Sequence, residues 1–155
     1  MRTACAPPPP AAALYSLHLY AIVSGSDGLH AGIYRYLAHH HGLETVADSC
    51  FRAQIAAAAF DQAWTAGSAV IFVVAAAHRR TMSKYGERCR CHLAIEAGHA
   101  AQNIFPQALS LDLCATQVGA FSDDAVAASQ LRRRDHLPFE WSAPRHLLGF
   151  GSPAR

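Results

Sequence analysis

The sequence predicts one α+β domain, a mixed or antiparallel sheet flanked by helices. Two runs rich in β-branched and aromatic residues, Leu14–Val23 (LYSLHLYAIV) and Gly32–Leu37 (GIYRYL), are joined by a short connection, which makes them antiparallel neighbours. The apolar run Ala69–Ala77 (AVIFVVAAA) is far shorter than the ~20 residues that span a bilayer and suits a buried strand. Alanine-rich stretches on either side of it carry helical spacing. The chain has 155 residues, enough for one domain with a core, and its 52% apolar and 15% charged composition is that of a folded protein.

Taken in order, residues 1–13 are rich in proline and alanine. Pro7–Pro10 fix φ and remove backbone donors, so this segment reads as an extended arm, with the domain occupying residues 14–155. The strand 14–23 ends at the turn Ser24–Gly28 (SGSDG), and the strand 32–37 ends at His39-His40-His41, placed in a strand-to-strand turn before Gly42. A helix is expected over Ala47–Trp64, capped by Asp48 or Ser49, with Phe51, Ile55, Ala59 and Phe60 on its inner face. After the strand 69–76, a loop holds Lys84-Tyr85-Gly86. The central helix runs from Arg90 to about Leu109, with Ile95, Ala97 and Ala101 inward and a kink at Pro106. Cys114–Val118 is a short strand leading to Gly119, and Ser122-Asp123-Asp124 cap a helix to about Leu131. A loop over 138–144 precedes a closing edge strand at 146–150.

Composition excludes several functions. A net charge of +2 is too small for a nucleic-acid or anionic-membrane surface, and the basic run Arg132-Arg133-Arg134 is answered by Asp135. The prolines and His18 interrupt any secretory signal, so the protein is expected to be cytoplasmic. Five cysteines at positions 5, 50, 89, 91 and 114 form an odd set without framework spacing, as free thiols in a reducing compartment do. Cys89-Arg90-Cys91-His92 lacks the two-residue gap that lets paired thiolates wrap one zinc. These cysteines therefore read as helix-surface thiols, and no metal is expected. There is no phosphate-binding loop, dinucleotide fingerprint or nucleophile elbow.

Eight short motifs follow one another in register over about 140 residues. They are Ala13-Leu14-Tyr15, Gly32-Ile33-Tyr34-Arg35-Tyr36, Gln62-Ala63-Trp64, the strand 69–76, Lys84-Tyr85-Gly86-Glu87-Arg88, Glu96-Ala97-Gly98-His99-Ala100-Ala101-Gln102-Asn103, Gly119-Ala120-Phe121-Ser122-Asp123-Asp124, and Leu147–Gly151. In this order they resemble the nitroreductase family, and within it the SagB-type dehydrogenases that oxidise azoline rings of thiazole- and oxazole-modified peptides. The resemblance implies a nitroreductase-like fold that dimerises around FMN. It also implies a cyclodehydratase partner and a ribosomal precursor peptide as substrate. Lys84 and Tyr85 take the catalytic places. Pro10, Ala11, Ala12, Gly119, Ala120 and Phe121 take the cofactor-binding ones.

The chemistry asked of these residues is consistent with their types. Small residues let backbone approach a flat ring, a lysine can accept a proton when its charge is disfavoured, and a tyrosine can donate to developing charge. His99 reads as a helix-facing polar residue. The family also opens with an arginine-containing helix that grips the FMN phosphate. This sequence begins close to the proline loop, so that helical part is expected to be lacking, with Arg145 or Arg155 as substitute cations. A rival reading stays open: an N-terminally truncated, flavin-free domain of the same fold, serving as a scaffold or left as a decaying fragment.

Overall fold

The computed structural model describes residues 14–25, 28–49, 51–128 and 142–151. Its centre is a six-stranded sheet in which every neighbouring pair is antiparallel, in the order β3-β2-β1-β4-β6-β5. The strands are β1 (Leu17–Val23), β2 (Gly32–Leu37), β3 (Gly42–Ala47), β4 (Val70–Ala76), β5 (Cys114–Val118) and β6 (Ser142–Gly151). The helices are α1 (Arg52–Ala58), α2 (Ala63–Gly67), α3 (His78–Tyr85), α4 (Cys89–Ser110) and α5 (Asp123–Val126).

Strand alternation decides which helix covers which face. Tyr20, Ile22, Ile33, Ile71, Val73, Ala75 and Val118 point to one face and meet Phe51, Ile55, Ala58 and Ala59 of the α1 segment together with Val126 of α5. Phe72 and Ala115 point to the other, where Ala101, Ile104, Phe105 and Ala108 of α4 cover them. At ~25 cal/mol per Å², side chains as large as Ile22 and Ile71 contribute most of the stabilising burial, and both are fully buried.

Gly32 explains the first residue of its motif. A Cβ there would lie 2.6 Å from the Ala47 carbonyl oxygen, beside the irregularity where β2 and β3 shift register. The two tyrosines that follow are tied locally. The Tyr34 hydroxyl donates to the His30 carbonyl at 2.8 Å, and Tyr36 meets His41 Nδ1 at 2.8 Å with its ring edge-on.

Several expectations are corrected. The helix expected over 47–64 is two short helices, because β3 runs to Ala47 and the chain reverses after Ala59. The Asp61 amide bonds the Ala56 carbonyl at 3.0 Å, with Phe60 and Asp61 both at positive φ. This is the geometry in which helices commonly end, usually on glycine. Phe60 is thereby turned out and exposed, and neither Asp48 nor Ser49 caps α1, whose N-cap is Phe51. Ile95 is exposed on α4, while Ala97 and Ala101 are buried as expected. Helix α4 runs past Pro106 as expected, from Cys89 to Ser110; the carbonyl left without its donor belongs to Gln102, on the exposed side where water can reach it. Strand β6 begins at Ser142, inside the expected loop, and lies between β4 and β5 rather than at an edge. Cys89 is fully buried, not a surface thiol, whereas Cys91 is exposed. The arm 1–13, the end of the helix expected to reach Leu131, and the basic run 132–134 lie outside the described residues.

Candidate active site

Register places three chain segments at one end of the sheet. Leu17 of β1 faces Ala76 of β4, so the segment entering β1 and the segment leaving β4 share that end. Val118 and Val73 both face Leu147 of β6, so β5 runs alongside β4 and delivers Gly119 toward the same end.

Helix α3 starts where β4 stops and is tied back to the entry of β1. The Ala77 amide donates to the Ser16 carbonyl at 2.7 Å. The buried Thr81 hydroxyl donates to Ser16 Oγ at 2.7 Å, and Arg80 Nη1 donates to the carbonyls of Leu14 and Tyr15 at 3.1 and 2.9 Å. Tyr15 itself sits at positive φ and is exposed. These bonds fix the orientation of α3, so its last turn has a defined position.

Lys84 and Tyr85 occupy that last turn, in a helix rather than in the expected loop. Gly86 then caps the helix at φ 54, a left-handed conformation that glycine adopts without strain. A 3-10 turn over Gly86–Arg88 leads directly into α4. Lys84 is exposed, and its Nζ stands 5.9 Å from the centre of the Tyr85 ring. Tyr85 is half-buried against His92, one turn into α4, with ring centres 4.4 Å apart. His92 is thus a site neighbour that sequence reading missed. Its position in the helix, seven residues after Tyr85, gave the only signal. His99, further along α4, is exposed.

Gly119, Ala120 and Phe121 leave β5 and turn toward the opposite face. The Gln62 side-chain amide donates to the Ala120 carbonyl at 3.3 Å, the Ser122 amide donates to the Ala58 carbonyl at 2.8 Å, and Phe121 lies against the α1-side core. Gly119 and Ala120 are exposed, and the space where a Gly119 side chain would stand is open. Backbone bare of side chains is what a flat ring system needs in order to approach main-chain donors, so these residues fit an isoalloxazine ring. The two expected groups therefore flank one sheet end from its two faces: Lys84-Tyr85 on the α4 side, and Gly119–Phe121 on the α1 side. Pro10, Ala11 and Ala12 lie outside the described residues.

A second polar group lies along β1 and β2. Arg35 pairs with Glu44 at 2.7 Å, and its Nε is buried without a hydrogen-bond partner among the described residues. Burial first, then the charges of Arg80 and Arg35, lower the pKa of His18 from its ordinary value. Burial pushes the Tyr20 hydroxyl up to about 12, Arg35 opposing that shift and Glu44 adding to it.

The sequence profile of the nitroreductase family matches residues 2–143. A candidate nitroreductase of Methanocaldococcus jannaschii is 34% identical over 118 residues, covering 76% of this chain and 60% of that protein. The fold superposes on a candidate nitroreductase from Anabaena variabilis with a TM-score of 0.80 at 24% identity, covering 90% of this chain and 27% of that one. It superposes equally well, at 0.80 and 20% identity, on a chain of the E. coli microcin synthetase McbBCD complex with truncated pro-MccB17 bound, covering 96% and 56% of the two chains. For the NADPH:FMN oxidoreductase of Vibrio harveyi the TM-score is 0.61, with 19% identity and coverage of 93% and 53%. This chain thus spans less than two thirds of each of these proteins. Matched along most of its length and carrying the fold, the chain belongs to the nitroreductase family.

Proposed function

We propose that this chain is an FMN-dependent oxidoreductase of the SagB type, converting azoline rings of a ribosomal precursor peptide to azoles. The observation that supports it best is that Lys84-Tyr85 and Gly119–Phe121 lie at the same end of the sheet, in the order and spacing of that group's motifs. The fold shared with a chain of a peptide-modifying microcin synthetase supports the substrate class. When bound, FMN supplies the two-electron acceptor for the hydride that leaves the azoline.

The chain's own residues do the rest. Lys84 takes the proton that leaves as the ring becomes aromatic. Tyr85, steadied by the His92 ring, donates a hydrogen bond toward developing charge. The Gly119-Ala120 backbone would meet the flavin ring, Phe121 anchors that turn in the core, and the resemblance assigns Pro10, Ala11 and Ala12 to the cofactor as well. Lys84 is exposed in the single chain, and a second copy of the chain and the peptide itself would cover this corner during the reaction. A cyclodehydratase makes the azolines this reaction consumes. No helix among the described residues is long and apolar enough to cross a membrane, and the free thiols support action in the cytoplasm.

The test is the visible spectrum of the purified chain titrated with FMN, read beside its mass in solution. Structured flavin absorbance on a dimer is the expected result. Lys84→Ala and Tyr85→Phe should then keep the flavin and lose azoline oxidation by ~100-fold or more. A folded chain that takes up no FMN at high concentration overturns this reading in favour of a flavin-free domain.

A further inference from the structure

We propose that His78, Met82 and Cys89 form a binding site for a monovalent soft metal ion, Cu(I) or its surrogate Ag(I). Cys89, the first residue of α4, is fully buried. Its Sγ lies 3.0 Å from His78 Nε2 and 3.5 Å from Met82 Sδ. His78 and Met82 stand four residues apart on α3, one turn, so they present their donors on the same face toward Cys89.

The donor set selects the ion. A thiolate, a thioether and an imidazole together are soft, and thiolate with thioether favours Cu(I). Zinc prefers four nitrogen, oxygen or thiolate ligands. Among the described residues no group of three His, Cys, Asp or Glu is placed to hold a metal ion, and here the third donor is a methionine. Metal–donor bonds of roughly 2.0–2.3 Å around a three-coordinate ion hold the donors ~3.5–3.9 Å apart, so Cys89 Sγ and His78 Nε2, at 3.0 Å, must separate by about half an ångström or more, and the two sulfurs, at 3.5 Å, by less. Met82, with three rotatable bonds and partial exposure, yields on its side and gives the ion its way in, and His78, a half-buried side chain at the start of α3, turns to open the distance to Cys89. On binding, a sulfur–metal bond replaces the S–H bond of Cys89 and the proton leaves to solvent. The metal keeps its oxidation state.

The location gives the site its consequence. The three donors bracket Lys84 and Tyr85, the last residues of α3, and the 3-10 turn Gly86–Arg88 that joins α3 to α4. A bound ion would staple the two helices and hold that turn rigid. The proposal stands whether or not the chain is an azoline oxidase.

The experiment uses the full chain with Cys5, Cys50, Cys91 and Cys114 changed to Ser. Cu(I) is titrated anaerobically against a colorimetric chelator. One equivalent should bind. His78→Gln and Met82→Leu, both at residues that are not fully buried, should each weaken binding at least about tenfold, and Cys89→Ser should abolish it. The chain has two methionines, Met1 and Met82. Selenomethionine labelling should therefore reveal a copper–selenium distance in X-ray absorption that disappears in Met82→Leu. Failure of the folded chain to retain Cu(I), affinity in Met82→Leu or His78→Gln unchanged from that of the parent, or a copper shell without selenium would each overturn the site.

Discussion

The two faces of the sheet are filled by different kinds of residue. On the α1 side, Tyr20, Ile22, Ile33, Ile71 and Val73 meet Phe51 and Ile55, large side chains with almost no exposure. On the α4 side, the buried residues of the long helix include Ala97, Ala101 and Ala108, and Ile95 and Leu109 point outward. Small side chains bring a helix close to a sheet but bury little area each. The α1 side therefore holds more of the large, fully buried side chains, although Leu93 of α4 is one too. The α4 side holds the groups with chemistry (Lys84, Tyr85, His92 and Cys89) at a helix junction that is half open.

The comparison breaks first on Ile71. Ile71→Ala removes a fully buried side chain from the heavier face and should cost ~2–5 kcal/mol, read as a large fall in the denaturant midpoint. Ala101 tests the lighter face from the other direction. Ala101→Leu has no room against the sheet and should cost ~1–3 kcal/mol through strain. If it is tolerated, the close-approach picture of α4 is wrong.

Thr81→Val keeps the shape but leaves the buried Ser16 hydroxyl short of a donor, which should cost ~1–2 kcal/mol. It should also loosen α3, which amide exchange at Lys84 and Tyr85 would show. The smallest effect is electrostatic. The folded state holds His18 below its ordinary pKa of 6.5, so below that pH the unfolded chain takes a proton that the native state resists. Stability should fall as pH drops through this range, and His18→Gln should flatten that part of a thermal-midpoint profile. An unchanged profile would remove His18 as its source.

Much of this architecture was legible in the residues. β-branched and aromatic runs located β1, β2, β4 and β5, and alanine spacing located α4, because those signals are local. Failures occurred where distant contacts overrode local preference. The reversal after Ala59 places Phe60 and Asp61 in left-handed conformations that neither residue advertises. Lys84 and Tyr85 looked like a loop because Gly86 follows, yet the glycine caps a helix held by bonds to Ser16, Leu14 and Tyr15 more than sixty residues away. The set His78, Met82 and Cys89 has no recognised spacing in the sequence. It exists because one helix turn and one 3-10 turn fold it together. Of the site, the order of its parts could be read from the sequence, but their placement on opposite faces could not.

The position of β6 has a consequence for how the molecule is made. β4 finds one neighbour, β1, about fifty residues earlier, but its other neighbour is synthesised some seventy residues later. During translation the edge of VIFVVAA stays open, a flat apolar strand of the kind that pairs with other chains. β5 waits as well, since its sheet contacts run through β6. Sheet closure is a late, long-range event of high contact order, slow relative to the helices. During synthesis the nascent chain is therefore exposed to aggregation until its last strand arrives, and crowded ribosomes or fast production should favour inclusion bodies over folded protein.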